Sequence, residues 1–154
     1  MSNYNRNLIH EASILRVTNT YRVGQAIKPG FGVIPTLVNA LRTGDSFKIF
    51  GSGNMQRDYV NVVDVQRAIA AAIDAGGAGV VNIGTGRGTS INELIAEVQE
   101  LSGRTLNVEY VEADKNEPTY YQLDISRAEN ALGWKPTVSL REGLTQILGM
   151  ADLL

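Results

Sequence analysis

Val80-Val81-Asn82-Ile83-Gly84-Thr85-Gly86-Arg87-Gly88-Thr89-Ser90-Ile91-Asn92-Glu93 is the stretch from which the fold is read. Val80 to Ile83 is short, apolar and rich in β-branched residues, the pattern of a buried strand. A glycine loop follows. Ser90 and Glu93 then have capping-box spacing: the serine oxygen takes a backbone N–H, and the glutamate reaches back to the serine N–H. Ile91, Leu94, Ile95, Val98 and Leu101 recur at helical spacing until Gly103. Strand, glycine turn and capped helix in this order are a building unit of α/β proteins.

The same alternation extends in both directions. Upstream, Tyr59 to Val63 reads as extended. Asp64 is placed to cap a helix carrying Val65, Ala68, Ile69, Ala72 and Ile73, which Gly76 and Gly77 stop. Before it, Phe47-Lys48-Ile49-Phe50 is a strand followed by the turn Gly51 to Asn54. Pro35 fits the first turn of a helix with Leu37, Val38 and Leu41 on one face, closed by Gly44. Gly24 to Gly32 reads as loop, and Ser13 to Val17 as another strand. Downstream, Asn107 to Val111 is a strand, and Asp124 is placed to cap a short helix ending at Gly133. Trp134 is a core anchor behind that helix. Ser139 and Glu142 form a second capping box, opening a helix with Leu140, Leu144, Ile147 and Leu148 inward. Parallel strands need both faces covered, and helices are in short supply here. Ser13–Val17 and Val80–Ile83 therefore read as two strands of a larger sheet. The organisation expected is a polar segment over 1–12 and a single α/β domain over 13–154.

Composition narrows the function classes. The chain has 154 residues, a net charge of −2 and no cysteine. Disulfides and thiolate metal sites are excluded, and a cytoplasmic setting is the default. Nothing in the charge balance points to nucleic acid or to a membrane surface. The longest apolar run, Ala68 to Ile73, is far too short to span a bilayer. The polar start of the chain has no apolar signal-peptide core.

The polar motifs have modest readings when taken singly. Gly84-Thr85-Gly86-Arg87-Gly88 lies where a phosphate-cradling turn would, but its third glycine comes one residue early for a dinucleotide fingerprint. A tight turn is the simpler account. Arg57, delivered by the turn Gly51 to Asn54, presents a planar fork of donors suited to phosphate oxygens. Taken alone, Arg57 beside Asp58 reads more simply as a surface ion pair worth little. Arg16, inside an apolar strand, must be paired or reach solvent at an edge. His10 is the sole histidine, and no catalytic or metal cluster forms around it. Asp114, Glu117 and Asp124 are too scattered for a carboxylate pair.

The order of these motifs says more than any one of them. Leu15-Arg16-Val17-Thr18-Asn19-Thr20-Tyr21, then Gly32-Val33-Ile34-Pro35, then Ile49-Phe50-Gly51-Ser52-Gly53 run in sequence. Arg57-Asp58-Tyr59-Val60-Asn61-Val62-Val63-Asp64 and Val81-Asn82-Ile83-Gly84-Thr85-Gly86 follow. Asp124-Ile125-Ser126-Arg127-Ala128 and Leu132-Gly133-Trp134-Lys135-Pro136 complete the series. Together they resemble the C-terminal part of the NAD-dependent epimerases/dehydratases, extended short-chain dehydrogenases that act on nucleotide sugars. The resemblance implies an α/β nucleotide-sugar-binding part with two strands of an incomplete Rossmann-type sheet.

The resemblance also implies roles. Asn19 and Arg57 would hold the diphosphate of a UDP- or TDP-sugar. Tyr59 and Val33 would line the site, Lys48, Ile49 and Phe50 would lie along the base, and Glu117 would sit near the ribose hydroxyls. Three departures from the family pattern stand out. Asp114 stands where the family usually has arginine, with Lys115 beside it. Tyr21-Arg22-Val23 replaces Tyr-Gly-Pro. The family's glycine-rich cofactor loop and Tyr-x-x-x-Lys pair do not occur in this sequence. NAD is the family's cofactor, and none is expected to bind this chain alone. The partners implied are a nucleotide sugar, weakly held, and either a cofactor-domain chain or a second copy of this one. Three readings stay open from the sequence: the substrate half of an epimerase/dehydratase, a non-catalytic nucleotide-sugar or protein-binding module, and a ligand-free product of a truncated gene.

Overall fold

The structure is a computed structural model and describes residues 12–27, 32–112 and 120–154. Eight strands and five helices are described, in an α/β arrangement with parallel pairing. β1 (Ser13–Val17) pairs in parallel with β5 (Gly79–Ile83), from Ser13 opposite Gly79 to Val17 opposite Ile83. β3 (Phe47–Phe50) pairs in parallel with β7 (Val108–Val111). The third sheet is built on β4 (Gln56–Asn61). It takes β2 (Asn19–Tyr21) and β8 (Tyr120–Tyr121) in parallel, and β6 (Gly88–Ser90) antiparallel. The two strands expected to belong together, Ser13–Val17 and Val80–Ile83, do pair. β2, β6 and β8 were not foreseen: each has only two or three residues, too few to show a period.

The helices are α1 (Val33–Thr43), α2 (Val62–Asp74), α3 (Ile91–Ser102), α4 (Ser126–Leu132) and α5 (Leu140–Met150). Both capping boxes form. Ser90 accepts from Glu93 N at 3.1 Å, and Glu93 accepts from Ser90 N at 2.7 Å. Ser139 and Glu142 do the same at 3.2 and 2.8 Å. These bonds hold the Glu93 and Glu142 carboxyls below the usual carboxylate range. Gly44, Gly103 and Gly133 end their helices in the left-handed conformation that glycine adopts most readily.

Two local expectations need correcting. The extended run stops at Asn61, so Val62 and Val63 are helical. Asn61, not Asp64, caps α2, its Oδ1 accepting from Val63 N at 3.0 Å. Asp64 lies in the first turn of the helix and is fully buried. It accepts from Thr137 N, Thr137 Oγ1 and Val138 N at 2.9–3.0 Å and from Arg67 at 2.8 Å. A buried carboxylate needs such donors, and here they pin the connection into α5. Asp124 accepts from Ser126 N at 2.9 Å, a bond of the capping kind, although Ile125 occupies the position ahead of the helix.

The apolar side chains form two clusters. The larger joins α1, α3 and α5 over β2, β3 and β4, with Leu37, Ile49, Leu94, Leu144 and Leu148 fully buried. The smaller joins α2 and α4 to β1 and β5 around Val81, Ile83, Ala68 and Trp134. Trp134 is the anchor expected, and its Nε1 donates to Asp64 O at 3.0 Å. The polar residues of interest lie on β2 and β4, at the margin of the larger cluster.

Candidate functional site

Successive residues of a strand point to opposite faces. β4 uses this to separate Arg57 from Asp58, so the ion pair expected between them does not form. Asp58 is fully buried. It accepts from Thr85 Oγ1 at 2.6 Å, Thr85 N at 2.8 Å and Gly86 N at 3.0 Å. The glycine turn is therefore closed around a carboxylate of this chain. A side chain at Gly84 would collide with that carboxylate, since an added Cβ would lie 2.6 Å from Asp58 Oδ2. The backbone donors that a phosphate would need at this turn are already engaged. The simpler account of the turn stands.

Arg57 faces the other way, half-buried, into a cavity of about 480 Å³. Asn19, Val33 and Tyr59 line the same cavity, as do Gln25 and Met55. No carboxylate partner for Arg57 is found among the described residues. Its guanidinium lies over the ring of Tyr121, 4.6 Å from the ring centre. Tyr59 is almost completely buried, and burial pushes its hydroxyl up to about 12, with Arg57 acting in the opposite sense. At neutral pH it is a proton-bearing phenol.

Asn19 pairs across from Tyr59. Its Nδ2 donates to Asp58 O at 3.1 Å and to Thr18 Oγ1 at 3.4 Å. A backbone carbonyl can only accept, so the amide orientation is fixed. Both amide hydrogens are engaged, which leaves Oδ1, an acceptor. Val33 opens α1 and lines the cavity together with the cap Gly32, Ile34 and Pro35, the last of which has no N–H to offer. The first N–H groups of a helix have no partner within it and favour anions.

Lys48, Ile49 and Phe50 are not brought to this cavity. Ile49 is fully buried in the larger core, Phe50 is exposed, and Lys48 sits 3.8 Å from Glu109 on the paired strand β7. Glu117, Asp114, Lys115 and His10 lie outside the described residues. Arg16 is exposed on β1, so the edge reading applies and no buried partner is needed. The residues missed from the sequence are Asp58 as an internal clamp, Thr18, Gln25 and Tyr121. Strand alternation could have shown that Asp58 and Arg57 face apart. Nothing local marks Tyr121 as a neighbour of Arg57.

A larger cavity, of about 710 Å³, also touches Tyr59, between the 85–89 segment and the start of α5. Its Arg141 is held by Glu97 at 2.5 Å and Glu100 at 2.8 Å, so that cation is already neutralised. Among the described residues no group of three or more His, Asp or Glu could hold a metal ion. None of the described helices is long and apolar enough to cross a membrane.

The α/β scaffold brings a phenol, a helix N-terminus and an arginine with no carboxylate partner among the described residues to one cavity, an arrangement chemically able to accept an anion. Comparison with known proteins places it further. The model of the GDP-mannose 4,6 dehydratase family matches residues 1–147, and the chain belongs to that family of NAD-dependent epimerases/dehydratases. A putative UDP-glucose 4-epimerase of Methanocaldococcus jannaschii is 38% identical over 145 residues, covering 94% of this chain and 47% of that protein. The solved UDP-glucose 4-epimerase of Thermotoga maritima, with UDP-glucose, is 37% identical with a TM-score of 0.82, over 91% of this chain and 45% of that one. UDP-glucuronic acid 4-epimerase of Bacillus cereus, in complex with UDP-glucuronic acid and NAD, is 28% identical with a TM-score of 0.81, over the same shares. The chain spans about half the length of the curated relatives it matches.

Proposed function

We propose that this chain is the nucleotide-sugar-binding portion of an NAD-dependent epimerase/dehydratase, with the 480 Å³ cavity as its nucleotide-sugar site. The observation that carries the reading is Arg57: a half-buried guanidinium in a cavity, without a carboxylate partner among the described residues. A diphosphate satisfies it, and the N-terminus of α1 adds favourable dipole charge on the same wall. Tyr59 supplies a neutral O–H donor. Asn19 contributes Oδ1, which takes no hydrogen bond among the described residues and suits a ligand hydroxyl better than a phosphate oxygen. The similarity to epimerases solved with UDP-sugars supports the ligand class.

NAD is the family's cofactor, and the residues here do not fit it. Among the described residues, the turn with a suitable strand–helix setting directs Thr85 N and Gly86 N into Asp58. We infer that NAD and the acid/base pair belong to residues outside this chain, so the chain alone turns over no nucleotide sugar. Assay of the purified chain with NAD and UDP-glucose, UDP-galactose or TDP-glucose checks this. Reproducible conversion above a mock purification overturns it.

Calorimetric or NMR titration with UDP and TDP tests the site itself. Losing a charge-assisted pair of about 1.5–3 kcal/mol should make Arg57→Ala bind roughly ten- to a hundredfold more weakly than wild type. Equal binding by the two proteins places the ligand elsewhere.

A further inference from the structure

The geometry points to Tyr121 as the positioning residue of Arg57: its ring carries the guanidinium face-on and so aims the in-plane N–H fork into the cavity. This rests on the reading of the cavity as a diphosphate site and adds to it the device that orients its cation.

Three observations meet here. First, β8 is added to β4 in parallel with Arg57 and Tyr121 directly paired. Paired residues on neighbouring strands project to the same face of a sheet, so the register itself brings ring and guanidinium together. Second, the contact is with the face of the ring, at 4.6 Å from its centre. The negative face of an aromatic ring attracts a cation. All five guanidinium N–H bonds lie in the guanidinium plane, so a guanidinium laid parallel to the ring keeps them for a ligand. Third, Tyr121 does no core work. It remains 51% exposed and belongs to neither apolar cluster. A tyrosine that is half in water and stacked on a ligand-facing arginine restricts the arginine's rotamers without neutralising it. A carboxylate in the same place would hold Arg57 equally well and would also cancel the charge that the ligand needs. The phenol hydroxyl has no part in this, because the stack needs only the ring.

The test uses the full 154-residue chain and titrates UDP and uridine in parallel. Tyr121→Leu should weaken UDP binding about two- to fivefold, the scale of a partly exposed cation–π contact, and leave uridine binding unchanged. Tyr121→Phe should bind UDP as wild type does. In the ligand-free protein, the Arg57 side-chain NMR signals should carry a ring-current shift that persists in Tyr121→Phe and disappears in Tyr121→Leu. Equal losses for UDP and uridine in Tyr121→Leu would assign Tyr121 to nucleoside contact and overturn the positioning role. Unchanged UDP binding in Tyr121→Leu overturns it too, with the cavity's ligand class left standing. No UDP binding by wild-type protein overturns both readings together.

Discussion

The two apolar clusters of this chain, one rich in leucine and the other built on alanines around Trp134, end in different states. The larger cluster is closed: α1, α3 and α5 wrap it, and Leu37, Leu94, Leu144 and Leu148 have no solvent contact. The smaller is open. α2 and α4 pack on the β1–β5 pair, yet Ile69 and Ile73 of α2 stay exposed beside β1, along with Ile14 and Val17 of the strand itself. Among the described strands β1 pairs only with β5, which leaves one edge with unpaired backbone groups. Parallel sheets are ordinarily covered on both faces, and a free edge is a template for another strand. The comparison teaches that one half of the chain is stabilised by its own side chains. The other half leaves apolar side chains and a strand edge uncovered among the described residues.

The sharpest way to break this contrast is at Trp134, which holds the open layer together from inside. Trp134→Ala should cost about 3–5 kcal/mol, the range for removing a large aromatic from a core. It also removes the donor to Asp64 O. Hydrogen exchange should show β1, β5, α2 and α4 losing protection before the strands and helices of the closed cluster. Simultaneous loss throughout would mean that the two clusters are one cooperative unit.

A smaller effect is expected within the closed cluster at Gly143. This glycine lets α5 approach β2, because an added Cβ would run into the ring and hydroxyl of Tyr21. Gly143→Ala should destabilise by about 1–3 kcal/mol through overpacking. Chemical denaturation measures it, and a change below about 0.5 kcal/mol, the scale of an ordinary surface substitution, would show that α5 can slide.

The smallest effect on stability, with a distinct effect on assembly, belongs to the open layer's surface. Ile73 is 74% exposed, so Ile73→Lys should change stability by no more than about 0.5 kcal/mol. If the uncovered layer drives self-association, light scattering across a concentration series should show less association for the variant than for wild type. A wild-type protein that is already a monodisperse monomer removes the basis for this expectation.

Much of the fold was legible because it rests on local signals. Both capping boxes, the glycine helix ends and the strands Ser13–Val17 and Phe47–Phe50 are marked by residues within a few positions of one another. Asp64 misled because a carboxylate just after an extended run is a good cap in isolation. Asn61 took that role, and Asp64 was drawn inside by donors more than seventy positions away. Lys48 to Phe50 form the expected strand, but their place relative to the cavity depends on how β3 packs, which no local pattern encodes.

The sequence by itself determined the α/β class, the helix boundaries set by the two capping boxes and by glycines, the two parallel strands of the open layer and the family resemblance. These follow from periodicity, capping chemistry and motif order, all of which are properties of contiguous residues. Only the tertiary structure decided what each charge does. Arg57 and Asp58 are neighbours in the chain, and strand alternation sends one to the cavity and the other to the glycine turn. Tyr121 becomes the partner of Arg57 only because β8 adds to β4 in one particular register. A charge takes its role from the groups that surround it, and those groups come from distant parts of the chain once it has folded.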